Sequence, residues 1–215
     1  MILWIAHQDM ERLPKSLRRL EQAGLEIRGC DELRSFNKLV HALEAFPDAY
    51  LVTADDDLHY PRDWLGQLTA AFDPARREII CHRAHRVTRD RAGTLAPYRQ
   101  WPYDVQDAAA RMASTDIMPT GVGGVLYPPR SLHALVTDRS LFQRLCPRGD
   151  DLWFHWCARM AGTPARKIGG KMRLINWPGS QASALCFDNG DGGGNDRMIR
   201  ALEAELGNDV LGLAA

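Results

Sequence analysis

The segment that most restricts the fold is Tyr50-Leu-Val-Thr-Ala-Asp-Asp-Asp-Leu-His-Tyr-Pro61, where a short apolar run leads directly into three adjacent carboxylates. The run has the length of a buried strand, and Pro61 marks a helix start soon after it. Charge cannot follow a buried strand unless the strand ends at an edge reached by water or ligand. In parallel sheets that carboxyl edge is where ligands bind. Asp55, Asp56 and Asp57 repel one another, so a neutralising partner is expected. Mg²⁺ or Mn²⁺ meets that need, taking one or two carboxylates and sharing its remaining shell with substrate phosphate. The competing expectation is a solvated acidic turn that opens the helix after Pro61.

The N-terminal half alternates short apolar runs with helical patterns. Ile2 to Ala6 reads as a strand, and Pro14 opens a helical stretch with Leu17 and Leu20 on one face, closed by Gly24. Leu25 to Ile27 is a second strand. Ser35 is expected to cap a helix carrying Phe36, Leu39, Val40 and Leu43 at i, i+3, i+4 and i+7. Tyr50 to Thr53 is the third strand, and the Pro61 helix places Trp64, Leu65, Leu68 and Phe72 on one face. Glu78 to His82 is the fourth. This βαβα rhythm predicts an α/β fold with a mainly parallel sheet flanked by helices.

Thr88 to Thr120 has little periodicity, as expected of a functional loop region or an antiparallel excursion. Gly121 to Pro129 is glycine-rich and then apolar. Asp151 to Ala161 reads as a helix with Leu152, His155, Trp156 and Arg159 about a turn apart. Asp188 to Gly194 reads as a hinge, after which Asn195 caps a last helix carrying Met198, Ile199, Leu202 and Leu206. Residues 1–215 are read as one domain with divisions after 87 and after 187, the last part, 188–215, being a C-terminal hinge and helix.

Composition narrows the function. Lys plus Arg is 27 and Asp plus Glu is 27, so the formal net charge is zero and a broad grip on nucleic acid is not expected. No apolar run approaches the roughly 20 residues that span a bilayer. The N-terminus lacks the basic region of a signal peptide, and a cytoplasmic location is expected. Cys30, Cys81, Cys146, Cys157 and Cys186 form no Cys-x-x-Cys pair and read as free thiols. Cys81, His82 and His85 do not share one face of a strand, so zinc is not expected there.

Six ordered segments carry a family resemblance: Leu33-Arg-Ser-Phe-Asn-Lys38, Thr53 to Trp64, Cys81-His-Arg-Ala-His85, Gly121 to Pro129, Gly149-Asp-Asp-Leu-Trp153 and Gly194-Asn-Asp-Arg197. Together they resemble the small bacterial GT-A glycosyltransferases grouped with family 2-like enzymes, whose centre is an Asp-x-Asp motif. The resemblance implies transfer of a sugar from a nucleoside-diphosphate sugar to a glycan or other hydroxyl acceptor, with a role in surface polysaccharide synthesis. It implies that Asp55 or Asp56 faces the nucleotide ribose and that Asp57 holds Mn²⁺ or Mg²⁺ against the diphosphate. Lys38 would add a donor to the same diphosphate. Gly123 and Gly124 would let backbone approach sugar or acceptor. Asp151, at the acidic pair Asp150-Asp151, would be the general base of an inverting reaction, with its pKa raised by neighbouring charge and partial burial. Asn195, Asp196 and Arg197 would form a late flap over the diphosphate.

Further readings stay open from the residues. His59 is a candidate metal or phosphate contact, and Tyr98, Trp101 and Tyr103 are candidates for stacking on a sugar. Asp55-x-Asp57 with Lys171 and Gly149-Asp150-Asp151 also resembles phosphatases of the haloacid dehalogenase type, although that family carries its motif on the first strand. A third reading is a degenerate transferase fold serving as a binding module. GT-A enzymes begin with a βα unit ahead of the strand equivalent to Ile2–Ala6, so the chain is read as N-terminally shortened. Self-association through that apolar first strand is the expected consequence.

Overall fold

The structure, a computed structural model, describes residues 1–180 and 193–207. Ile2–Ala6 (β1) and Glu26–Cys30 (β2) pair in parallel, with Ile2 opposite Glu26 and Ala6 opposite Cys30. Lys15–Glu21 (α1) crosses between them, entered through an extended Pro14 and left by way of Gly24 at φ +94°. The Leu17 and Leu20 face of α1 is not buried; Leu20 is 50% exposed.

The helix expected from Ser35 is broken. A 3-10 turn over Arg34–Lys38 precedes Val40–Ala45 (α2), and Leu39 between them has φ −131°. Ser35 caps nothing, and its buried hydroxyl lacks a partner. The reason lies at Asn37: its side-chain oxygen accepts the Leu33 N–H at 2.9 Å, competing with a regular helix. Phe36, Leu39 and Val40 are nonetheless buried, as their spacing predicts.

Leu51–Thr53 (β3) is followed by Trp64–Ala70 (α3) and Ile79–Cys81 (β4). On α3, Leu68 is buried but Leu65 is 48% exposed, so the predicted apolar face is narrower than read. Ala84–Arg86 (β5) and Ile117–Pro119 (β6) pair antiparallel and bracket the irregular stretch, which is the antiparallel excursion of the two expected possibilities. The chain then returns as Val125–Tyr127 (β7), and Ala165–Lys167 (β8) closes the main sheet in the order β3-β7-β4-β8.

The fold is mixed α/β, and its strand orientation corrects the expectation of a mainly parallel sheet. β7 is antiparallel to both β3 and β4, while β8 is parallel to β4. Val125, Leu126 and Tyr127 are all buried, so the apolar run after the glycines fills the sheet centre between β3 and β4.

Arg139–Leu145 (α4), Asp150–Met160 (α5) and Gly194–Leu206 (α6) cover the core. Phe36 stacks on Phe142 at 4.2 Å and meets Phe154 edge-on at 5.7 Å. Leu152, His155, Trp156 and Arg159 of α5 are all buried, and Arg159 reaches the Thr115 carbonyl at 2.6 Å. α6 is capped by Gly193 at φ +64° rather than by Asn195, which is buried inside the first turn. Met198, Ile199 and Leu202 of α6 are buried. Cys30, Cys81, Cys146 and Cys157 are free and buried. Cys186 and most of the Asp188–Gly194 hinge lie outside the described residues. Among those described, no helix is long and apolar enough to cross a membrane.

Candidate active site

The side chains of four segments meet beyond the end of β3. Lys38, at the end of the 3-10 turn, donates a hydrogen bond from Nζ to Asp55 Oδ1 at 2.7 Å. The same ammonium lies 3.2 Å from Asp150 Oδ2 on the first turn of α5. That oxygen is buried and receives no aligned hydrogen bond, so Lys38 meets it as a charge. Asp151, the next residue, accepts the Gly121 N–H at 2.9 Å through Oδ1. Neither aspartate caps α5, since no side-chain cap bond forms there. A Cβ on Gly121 would sit 2.7 Å from Lys38 Nζ and 3.1 Å from Asp151 Oδ1, so a larger residue there would displace those side-chain ends.

One ammonium therefore meets two carboxylates, Asp55 and Asp150, and feels the charge of a third, Asp151. Burial alone would favour a neutral lysine, but the charges of Asp150 and Asp55, and then Asp151, hold the Lys38 pKa well above its ordinary value. Asp151 moves the other way from most paired carboxylates. Burial first, and then the charge of Asp150, push it up to about 7, while Lys38 and the Gly121 N–H pull it part of the way back. A carboxyl group with that affinity exchanges protons near neutral pH.

Tyr60 locks the carboxylate turn to the glycine segment. Its hydroxyl accepts the Asp55 N–H at 3.0 Å and donates to the Val122 carbonyl at 3.1 Å. Burial pushes this phenol up to about 12, which keeps the donor protonated. Trp64 Nε1 donates to the Gly123 carbonyl at 2.8 Å. A Cβ on Gly124 would fall 2.2 Å from the Trp64 ring, and one on Gly123 would fall 2.6 Å from Arg83 Cβ. The close approach expected between these glycines and a ligand is made to Trp64 and Arg83 instead.

A broad cleft of about 2320 Å³ opens over this cluster, with Lys38, Asp55, Asp56, Asp57 and Asp151 on its wall. Asn195 also lines the cleft, whereas Arg197 is exposed. Asp196 of the expected flap accepts the Tyr98 N–H at 2.7 Å and so ties α6 to the aromatic turn. Tyr98 and Tyr103 line the cleft, but Trp101 is buried and bonded to the Ala96 carbonyl. His59 stacks on Trp177 at 4.0 Å. His82 and His85 point to different partners, the Trp64 carbonyl and the Asp104 N–H.

Sequence reasoning missed Tyr60, Gly121 and the segment around Asn176. His59 N–H donates to the Ile175 carbonyl at 2.9 Å, and Trp177 N–H to the Asp57 carbonyl at 2.8 Å. Leu58 and Asn176 form an antiparallel bridge between these bonds. The strap lays a wall on the carboxylate turn, and nothing in its residue pattern marks it for that position.

The residues define what a metal can find here. Among the described residues, no group of three or more His, Cys, Asp or Glu side chains is arranged to hold an ion. Asp55 is committed to Lys38, whose ammonium is the cation at that carboxylate. Lys38 is likewise committed to carboxylates rather than placed as the separate diphosphate donor the sequence suggested. Asp56 and Asp57 line the cleft beside it. No protein-family model and no curated protein matches this chain.

Two outcomes follow from this geometry. Lys38→Met leaves buried carboxylates without their counter-charge and is expected to cost about 3 kcal/mol of stability in urea unfolding. Asp151 binds its proton more tightly in the folded chain than in the unfolded one, where a carboxyl titrates near ~4. The folded state therefore carries the extra proton between about pH 4 and 7, and stability falls as pH rises through that window. Asp151→Asn should flatten that decline in urea midpoints taken from pH 4.5 to 8.

Proposed function

We propose that the protein is a GT-A-like glycosyltransferase that moves a sugar from a nucleoside-diphosphate sugar to a hydroxyl acceptor, aided by Mn²⁺ or Mg²⁺. The observation that carries this reading is the meeting, in one cleft, of a strand-end carboxylate turn with a second carboxyl, Asp151, that titrates near neutrality. Sugar transfer needs both: a place for the donor phosphates and a base for the acceptor.

In this reading Asp151 accepts the proton of the acceptor hydroxyl as that oxygen bonds to the anomeric carbon, and the bond from that carbon to the diphosphate oxygen breaks. The Gly121 N–H fixes the Asp151 carboxylate through one oxygen, which sets its direction. Lys38 holds Asp55 and Asp150 in place and limits the repulsion that Asp151 feels. Asp57, with Asp56 beside it, would hold the metal, which supplies positive charge to the departing diphosphate. Asp55 or Asp56 would face the ribose, and Asn195, which also lines the cleft, would border the diphosphate. Tyr98 and Tyr103 offer rings to a sugar face.

Titration calorimetry with UDP and GDP, with and without Mn²⁺, tests the reading. Metal-dependent binding that Asp57→Ala abolishes is the expected result. Asp151→Asn should keep that binding and lower turnover by roughly 10²–10⁴-fold. Phosphate release from simple esters without nucleotide binding would make the protein a phosphohydrolase. Neither activity nor nucleotide binding would leave it a binding module.

A further inference from the structure

The segment that walls the carboxylate turn has two unlike faces. It is anchored at its start by the buried Lys167, whose ammonium donates to the Gly170 carbonyl at 2.7 Å, and by Arg111, which reaches the Gly169 carbonyl at 3.3 Å. It is anchored again at the bridge between Leu58 and Asn176. Around that bridge alternate residues point to opposite sides, so Asn176 faces away from Ile175 and Trp177. All six of Lys171, Arg173, Leu174, Ile175, Asn176 and Trp177 are exposed, and of these Leu174 and Asn176 line the cleft while the other four do not.

That outer face joins two cations to two large apolar side chains. Ile175 is 46% exposed and Trp177 is 50% exposed, although one side of the indole rests on His59. Among the described residues, neither Lys171 nor Arg173 makes a salt bridge or a side-chain hydrogen bond. Unpaired cations next to an exposed indole and an aliphatic side chain match an anionic lipid surface. The cations meet headgroup phosphates, and the indole and isoleucine enter the boundary with the acyl chains. A protein partner would need a wider apolar area than two side chains supply.

We propose that residues 171–177 form a membrane-docking strap that seats the mouth of the cleft on an anionic bilayer. Both ends of the strap are pinned to the fold, so the contact would set the cleft at a fixed orientation to the lipid surface. An acceptor carried on that surface would then enter beside Leu174 and Asn176.

Co-sedimentation of the whole chain with vesicles tests this directly and needs no enzymatic activity, so its result is separable from that of the nucleotide titration. Vesicles of 30% phosphatidylglycerol in phosphatidylcholine are compared with pure phosphatidylcholine at 50 mM salt. Two basic residues near a charged surface predict about 30-fold stronger partition to the anionic vesicles. Raising salt to 500 mM should remove most of that preference. Lys171→Glu with Arg173→Glu should abolish the preference. Ile175→Ser with Trp177→Ser should weaken binding at least tenfold, with an unchanged thermal melting curve showing that the fold is intact. Equal partition to both vesicle types, or anionic binding that survives both double variants, would overturn the proposal. Failure to bind either vesicle while a second protein is retained by the same face would overturn it in favour of a protein-docking surface.

Discussion

The ammonium of Lys38 is the point on which the site's arrangement depends. It stands between Asp55, which follows β3, and Asp150, which opens α5, and these residues are far apart in sequence. Without it, three carboxylates from two elements would face one another at the floor of a cleft, and their repulsion would drive the elements apart. With it, two of the charges are offset, while burial and the charge of Asp150 keep Asp151 reluctant to ionise. A single cation thus holds the two walls together and moderates the proton affinity that burial and Asp150 give to Asp151.

The neighbouring residues make room for that arrangement. At Gly121, Lys38 and Asp151 occupy the space where a Cβ would be. Tyr60 joins the backbone at Asp55 to the carbonyl at Val122, and Trp64 joins α3 to Gly123. These contacts place the glycine segment under the carboxylates just before the chain enters β7, the strand at the middle of the sheet. The antiparallel direction of β7 is therefore part of the site: it brings Gly121 to the same end of the sheet as Asp55.

Much of this was legible from residue pattern, and the remainder failed for identifiable reasons. The strand leading to Asp55, the start of α5 at the acidic pair and the core residues of α6 all follow from periodicity. The direction of β7 does not, because three buried apolar residues read alike in either orientation. The broken helix at Ser35 was hidden because Asn37 bonds backward to Leu33, a local side chain–backbone bond that the apolar spacing does not report. Lys38 was picked out, but for a diphosphate, since no spacing rule links positions 38, 55 and 150. Gly123 and Gly124 were picked out for ligand approach, whereas they accommodate Arg83 and Trp64. Asn195 lost its capping role to Gly193 because a left-handed residue already closes that helix start. The strap at residues 171–177 was missed because its role comes from backbone bonds to the Asp57 turn.

The account stands on the proton affinity of Asp151, raised by burial and by Asp150 and moderated by Lys38. Carbon-13 NMR of aspartate-labelled protein, titrated from pH 3 to 9, reads that affinity at the carboxyl itself, with Asp151→Asn assigning the resonance. A midpoint about three units above ordinary aspartates, near pH 7, is the predicted result. A midpoint close to pH 4 would mean that the carboxyl is ordinarily solvated and that the cluster around Lys38 does not hold it as described.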